Sequence, residues 1–376
     1  MTKIKYLHEF QDKDLVLNLL KKIREEAKPE IQYNFMEFCG GHTHTIFRYG
    51  FPELLPKNVR MVHGPGCPVC VLPANRIDGA INLLKKYPNL ILCTYGDMMR
   101  VPGNSGKNFL KFKAEGANIK MVYSPMDALL LAEKNPEKQV VFMAIGFETT
   151  TPATAFIIKQ AAQKNLKNFF VYCQHVLTPP AIGHILEAPQ IREIDTVEIH
   201  GFIGPGHVSA VIGTQPFEYF AEEFQKPVAV TGFAPLDILQ GILMLIKQVN
   251  ENKFEVENQY NRAVTRTGNL KSQEIVSEVF QLREKFEWRG LGTIPYSALK
   301  IREQYASFDA EKQFEFKIPT ENEHKGCECG AILRGAKTPL DCKLFGKICT
   351  PENPIGSCMV SSEGACSAYF QYGIKK

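Results

Sequence analysis

The apolar positions of this chain change period along its length. From Asp14 to Lys28, Leu15, Val16, Leu19, Leu20 and Ile23 recur at helical spacing, and Pro29 ends the segment. This pattern predicts an N-terminal helix. After it a unit repeats: a short β-rich run, a glycine-rich turn, then a helical stretch. Strands are predicted over Asn34–Phe38, Val59–His63, Leu90–Thr94, Ile119–Tyr123, Val140–Ile145, Phe169–Cys173, Glu198–Ile203 and Val228–Thr231. Strands alternating with helices are the sequence form of parallel α/β units.

The two halves echo each other. Phe35-Met36 is matched by Phe142-Met143, and Gly64-Pro65-Gly66 by Gly204-Pro205-Gly206. Either an α/β domain has been duplicated, or apolar strands resemble one another by chance. Beyond Asn250 the sequence turns charged and helix-prone. The last 50 residues hold six of the eleven cysteines among many glycines and prolines. Metal cross-links can replace a hydrophobic core in such a stretch, so it reads as a metal-organised third domain. The expected division is an N-terminal helix over 1–30, α/β domains over 31–125 and 126–250, and a helical, cysteine-rich domain over 251–376.

Composition narrows the class. At 376 residues the chain suits two or three domains of about 150 residues each. Apolar residues at 44% and charged residues at 22% are ordinary for a globular protein. The net charge of +4 is scattered without a basic stripe, so no nucleic-acid partner is expected. Met1 to Phe10 lacks the apolar core of a signal peptide, and no window reaches 18 apolar residues. No membrane partner is expected, and the expected compartment is the cytoplasm. Cytosolic thiols stay reduced, which points the cysteines to metal binding or redox work and away from a disulfide framework.

The tail cysteines are Cys327, Cys329, Cys342, Cys349, Cys358 and Cys366. Soft thiolates select zinc or iron–sulfur clusters. Structural zinc usually draws on two tight Cys-x-x-Cys knuckles, whereas the tight pair here is Cys327-Glu-Cys329 and the other gaps are wide. Wide spacing favours a cluster over zinc. Near the other end, FCGGHTHTI places Cys39 after a strand and before Gly40, Gly41, His42 and His44. It reads as a first-row metal pair, or as a buried strand-end cysteine followed by two histidines at a helix start. HGPGCPVCV places Cys67 and Cys70 where a helix N-terminus lowers thiol pKa, which favours a redox dithiol. Half of a zinc site is the other reading, and a second Cys-x-x-Cys to complete it is missing.

Further glycine-flanked turns follow predicted strands. In open α/β sheets such turns line the ligand crevice, so Asp97, Arg100, Glu148, Thr149, His175 and His207 are candidates to face one cleft. Each taken singly is an ordinary turn or cap residue. None of these turns is a P-loop. Cys93 and Cys173, inside apolar strands, read as packing residues.

FCGGHTHTI, GPGCPVC, TYGDMMRVPG, GFETTTPATA, GFIGPGHVSAVIG and the cysteine-rich tail stand in one order along the chain. On these motifs the sequence resembles, from end to end, the hydrogenase maturation factor HypD family. The resemblance implies an α/β fold: two similar parallel-sheet α/β domains plus a smaller C-terminal iron–sulfur domain. It implies a 4Fe-4S cluster with ligands spaced Cys-x14-Cys-x6-Cys-x16-Cys, a spacing that Cys327, Cys342, Cys349 and Cys366 satisfy. Cys329 and Cys358 are then nearby, non-ligating thiols.

By the same resemblance the protein is a scaffold on which iron acquires cyanide and carbon monoxide before transfer to nickel–iron hydrogenase. A HypC-type small chaperone shares the iron, and a HypE-type partner supplies cyanide from a thiocyanate thioester. Cys39 is then the iron ligand with His42 close by. Cys67 and Cys70 form the thiol pair between iron and cluster. With His42, and with Asp97 and Glu148 from the turns after strands, they make up the candidate catalytic set. The chemistry is coherent: soft thiolates suit low-spin iron, and releasing cyanide from thiocyanate takes two electrons, which a dithiol delivers at once. A one-electron cluster restores that dithiol in two steps. One departure is Ala234 in VTGFAPLDIL, where family members often carry an acid; Asp237 is retained. The competing readings are a free-standing iron–sulfur thiol–disulfide oxidoreductase and a zinc-stabilised binding module.

Overall fold

The computed structural model of the chain describes residues 12–187, 197–322 and 324–373. Its centre is two parallel sheets. The strands are β1 (Tyr33–Glu37), β2 (Val59–His63), β3 (Ile91–Thr94), β4 (Ile119–Met121), β5 (Val140–Gly146), β6 (Phe169–His175), β7 (Gly201–Pro205), β8 (Val228–Thr231) and β9 (Val256–Asn258). One sheet runs β2-β1-β7-β8-β9 and the other β4-β3-β5-β6. Every pairing within them is parallel. β1, β5, β6, β7 and β8 are buried along their whole length, as strands covered by helices on both faces must be. Each predicted strand matches an observed one in position, with ends shifted by a few residues.

The sheets are nested and do not follow one another in sequence. The chain leaves the first sheet after β2, builds the second from β3 to β6, and returns as β7 beside β1. Sheet membership therefore crosses the division expected at residue 125: β3 and β4 precede it yet share a sheet with β5. The internal echo takes on a different meaning. Phe35-Met36 and Phe142-Met143 do lie in interior strands of separate sheets. Gly64-Pro65-Gly66 and Gly204-Pro205-Gly206, however, end the two strands that flank β1 in a single sheet, so that match does not pair one half with the other.

The N-terminal helix spans Lys13–Glu26, with the Asp12 carboxylate accepting the Asp14 and Leu15 amides at 3.0 and 3.3 Å. Leu20 and Ile23 bury against Ile238, Leu239 and Ile242 of the helix Pro235–Glu251. Asp237 begins that long helix with no exposed surface. It accepts both guanidinium nitrogens of Arg262 at 2.9 and 2.6 Å, and the Ala234 amide at 3.1 Å. The residue at 234 thus contributes its backbone, and the retained acid supplies the charge.

Beyond Asn250 the helix-prone reading captures the helix Leu270–Val279 but misses extended pairs. β10 (Phe280–Leu282) pairs with β13 (Leu299–Ile301), and β11 (Lys285–Trp288) with β12 (Gly292–Pro295), both antiparallel. Phe280, Phe286, Trp288 and Ile294 alternate with polar residues at period two, and the abundant charges hide this pattern. The cysteine-rich tail is made of turns and short helices, including Cys329–Leu333 and Ala365–Tyr372. Its buried Ile332, Leu333, Met359 and Val360 belong to the same apolar cluster as Val62 of β2 and Val141 of β5. Among the described residues no helix is long and apolar enough to cross a membrane.

Removing Asp237 takes away a buried acceptor shared by the Arg262 guanidinium, the Gln259 side-chain amide and the Ala234 N–H. Asp237→Ala is expected to lower unfolding stability by about 3 kcal/mol in urea titrations, in line with a broken buried pair.

Candidate functional site

Cys39 stands between the end of β1 and the helix Gly40–Arg48. Its position is set from below by Glu37, the last residue of β1, which has no exposed surface. One Glu37 oxygen accepts the Cys39 amide at 2.9 Å. The other accepts the Thr43 hydroxyl and contacts Nδ1 of His63, at the end of β2, at 2.8 Å. The Cys39 thiol is pushed up to about 12, first by burial and then by the carboxylates of Glu363 and Glu37. It keeps its proton at neutral pH.

Cys67 and Cys70 form a disulfide with 5.2 Å between their Cα atoms, at the start of the short helix Pro68–Val71. The turn that carries them packs on Cys39. Gly66 accepts the Gly40 amide at 3.1 Å through its carbonyl, and a Cβ at position 66 would collide with the Cys39 backbone. Glycine is required there for this close approach. Ser357 of the tail donates its hydroxyl to the Cys70 carbonyl at 2.8 Å. Arg289 donates its backbone N–H to Val71 at 2.8 Å and its Nε to Leu72 at 2.9 Å.

These turns open onto a cleft of about 430 Å³ at the C-terminal ends of strands from both sheets. Cys39, Asp97, Thr149 and His207 line it, together with Glu363 from the tail. The Glu363 carboxyl is raised by burial and then by the charges of Asp97 and Glu37. The other cleft candidates are placed differently. Arg100 reaches the tail, donating to the carbonyls of Pro351 and Val360 at 3.2 and 2.8 Å. His175 is buried, bonded to the Thr154 hydroxyl at 2.9 Å, and burial lowers it to about 4. Glu148 is buried and accepts the Thr178 amide and hydroxyl at 2.8 and 3.0 Å; burial raises it to about 7. His42 is also fully buried and lowered to about 4 by desolvation, with Nε2 at 3.0 Å from the Gly232 carbonyl. Its ring stacks on Phe233 at 4.7 Å, and His207 stacks on Phe233 at 3.8 Å.

Sequence reasoning missed Glu37, Phe233 and Glu363. A carboxylate inside the apolar run Tyr-Asn-Phe-Met-Glu-Phe was the signal for Glu37, because an unpaired charge is almost never fully buried. Phe233 carried a weaker signal as an aromatic in a glycine turn after a strand. For Glu363, which enters the cleft from far along the chain, the local sequence carried none.

In the tail, Cys327, Cys329, Cys342, Cys349 and Cys366 line one narrow cavity. Cys358 is fully buried beside it, and Cys93 and Cys173 are buried in their strands as expected. Among the described residues no three His, Cys, Asp or Glu side chains are arranged to hold a single metal ion. The sulfurs instead ring a space, and a Cβ on Gly356 would stand 2.6 Å from Cys329 Sγ and 2.7 Å from Cys327 Sγ. The thiols suppress one another's ionisation. Cys327 and Cys366 are raised first by hydrogen bonding to Cys329 and then by burial, and Cys349 is raised by burial. Crowded soft donors of this kind suit an iron–sulfur cluster, whose positive iron would compensate the thiolates. Cys329 lies in the same ring as the four cysteines expected as ligands.

Two nested parallel sheets carrying a buried strand-end cysteine, an adjoining Cys-x-x-Cys disulfide and a ring of further thiols define a cysteine-centred α/β protein. The HypD profile, described as "Hydrogenase formation hypA family", matches residues 14–373. Hydrogenase maturation factor HypD2 of Bradyrhizobium diazoefficiens is 62% identical over 370 residues, covering 98% of this chain and 97% of that protein. Hydrogenase maturation factor HypD of Cupriavidus necator is 60% identical, with the same coverage. The HypD of Escherichia coli K12 is 44% identical over 374 residues, covering 98% of each. The chain belongs to the HypD family.

Glu148 provides a pH test. Its folded value of about 7 lies above its ordinary 4.5. Its contribution to stability is therefore fully present below pH 4.5 and lost as pH rises through 7. Glu148→Gln lacks this titration, so its stability relative to the parent is expected to rise by about 3 kcal/mol between pH 4.5 and pH 8, read by denaturant unfolding.

Proposed function

We propose that the chain acts in hydrogenase maturation as a scaffold and redox factor. It holds iron at Cys39, shared with a HypC-type chaperone, while cyanide and carbon monoxide are attached to form an Fe(CN)2CO group, with cyanide delivered by a HypE-type donor. The observation that carries this reading is the packing of the Gly66 turn on Cys39, which brings the segment bearing the Cys67–Cys70 pair against a buried cysteine that lines the cleft. The full-length likeness to proteins named hydrogenase maturation factors supports it.

Each residue has a distinct task. Glu37 fixes the Cys39 backbone through the amide bond at 2.9 Å, so the thiol meets incoming iron from a fixed position. Cys39 Sγ gives up its proton when it takes the iron, its substrate. Asp97 and Glu363 face the same space and supply negative charge next to it. When Cys67 and Cys70 are both thiols, they reduce the S–C bond of a thiocyanate. The pair loses two electrons and two protons and closes to the disulfide, the S–C bond breaks, and a thiol and hydrogen cyanide leave. Cys327, Cys342, Cys349 and Cys366 would hold a 4Fe-4S cluster, which supplies single electrons when bound. Ser357, bonded to the Cys70 carbonyl, fastens that cysteine segment to the dithiol turn.

Infrared spectra of the chain purified anaerobically with a HypC-type partner are expected to show cyanide and carbonyl stretches that vanish in Cys39→Ala. Bands that survive the substitution would remove Cys39 as the iron ligand. Cys67→Ser and Cys70→Ser are each expected to leave the visible cluster spectrum unchanged and abolish hydrogenase maturation. Normal maturation in either variant would sink the dithiol role.

A further inference from the structure

A separate cavity of about 290 Å³ shares no residue with the cleft or with the sulfur cavity. Its walls are the loop 102–108, Arg289, the first residue of the helix Ala74–Lys86, and two stretches of the tail: Asn322 with His324, and the segment 352–355. We infer that this cavity binds a small monocarboxylate, held by the Arg289 guanidinium.

A buried charge without a partner is the first argument. Arg289 is 6% exposed. Its backbone N–H and Nε are spent on the Val71 and Leu72 carbonyls, and Nη2 is buried with no hydrogen-bond partner. Among the described residues, Arg76, Arg262, Arg266 and Arg283 each pair with a carboxylate, and Arg289 does not. A guanidinium is almost never buried unpaired, and its planar fork matches the two oxygens of a carboxylate.

The neighbouring acids limit the charge of the occupant. Lys111 and Glu352, both exposed, line the cavity with opposite signs. Asp78 and Glu321 are raised by burial, and the Arg289 charge acts on both in the opposite direction. Asp78 accepts the Asn104 amide at 2.8 Å, and Glu321 accepts the Ala74 and Asn75 amides at 3.0 and 2.8 Å. With these acids present the cavity has no basic excess, so the unpaired fork carries the inference and net charge does not. A phosphate or a dicarboxylate would meet three acids around one guanidinium. A single carboxylate supplies the missing partner and adds no second charge.

The other lining groups suit a short polar molecule. Asn108 accepts the Lys111 amide at 2.9 Å through its side-chain oxygen, and its NH2 group has no partner among the described residues. His324 Nδ1 accepts the Gly326 N–H at 3.2 Å, which places the ring proton on Nε2. A carboxylate with one adjacent hydroxyl answers a fork and a nearby amide, and the volume lies at the small end for ligand pockets.

Occupancy would act on the tail. Arg289 is bonded to the end of the dithiol helix, the segment 352–355 leads from Cys349 to Ser357, and Asn322 and His324 precede Cys327. A ligand between them fastens the cysteine segment to the dithiol turn at a second place, besides the bond from Ser357 to Cys70.

The test uses the full chain with glycolate as probe and inorganic phosphate as contrast, with chloride holding ionic strength constant. Contact is read by ligand-observed NMR, and affinity by the rise of unfolding temperature with concentration. The parent is expected to bind glycolate saturably and phosphate more weakly. Arg289→Lys keeps the charge but loses the fork, and is expected to weaken glycolate about tenfold. Asn322→Asp, at an exposed position, adds a further carboxylate and is expected to weaken it roughly threefold. A parent that glycolate does not saturate would overturn the site. So would tighter binding of phosphate, or parent-like affinity in either variant that folds. None of these readouts involves iron, a cluster or hydrogenase maturation, so this inference and the proposed function fail separately.

Discussion

The site depends on a carboxylate that water does not reach. Burying Glu37 would cost several kcal/mol if its charge were left unmatched, and the structure matches it with donors from three places: the Cys39 amide, the Thr43 hydroxyl one turn into the next helix, and the His63 ring on the neighbouring strand. None of the three can shift without exposing the others to an unsatisfied charge. Cys39 is therefore fixed relative to β2, and the turn after β2 inherits that constraint. Gly66 can lie against the Cys39 backbone because it has no Cβ to collide there.

The eleven cysteines divide by what surrounds them. Cys93 and Cys173 sit in strands, raised to about 12 by burial, and belong to an apolar cluster of the second sheet. Cys39 is raised to a similar value but lines the cleft together with Asp97 and Glu363. Among the tail thiols sulfur perturbs sulfur, with Cys329 hydrogen bonding to both Cys327 and Cys366. A low thiol pKa is the usual mark of a reactive cysteine. A buried thiol of high pKa is the better arrangement for a residue that must stay inert until metal arrives, because metal binding itself removes the proton.

Much of the fold was legible because strands buried on both faces are nearly continuous apolar runs, and Val140–Gly146 or Val228–Thr231 admit little else. Pairing was not legible. A parallel strand finds its neighbour through a crossover, and nothing in Gly201–Pro205 announces that it returns to β1 past an entire second sheet. The site divided in the same way. Cys39, Cys67 and Cys70 were visible because cysteines flanked by glycines at strand ends are few, and Asp97 and His207 because turns after parallel strands line crevices. Glu148 and His175 carry the same local signal, yet the structure turns both inward onto Thr178 and Thr154. Position after a strand places a residue at the rim, and its rotamer and neighbours decide which way it faces.

The nesting of the sheets has a consequence for how the cleft comes into being. Its walls come from the ends of β1, β2, β3, β5 and β7 and from a tail more than three hundred residues beyond Cys39. The tail and the turns after β2 and β3 are tied by bonds of long sequence separation: Ser357 to Cys70, Arg100 to Val360, Arg289 to Leu72. Such contacts reward the chain only after the loop-closure entropy has been spent, so they form late. Cys39 and the dithiol turn can meet within the first sheet alone, because Glu37, His63 and Gly66 all belong to β1, β2 and their turns. The tail must then dock onto a thiol pair already in position.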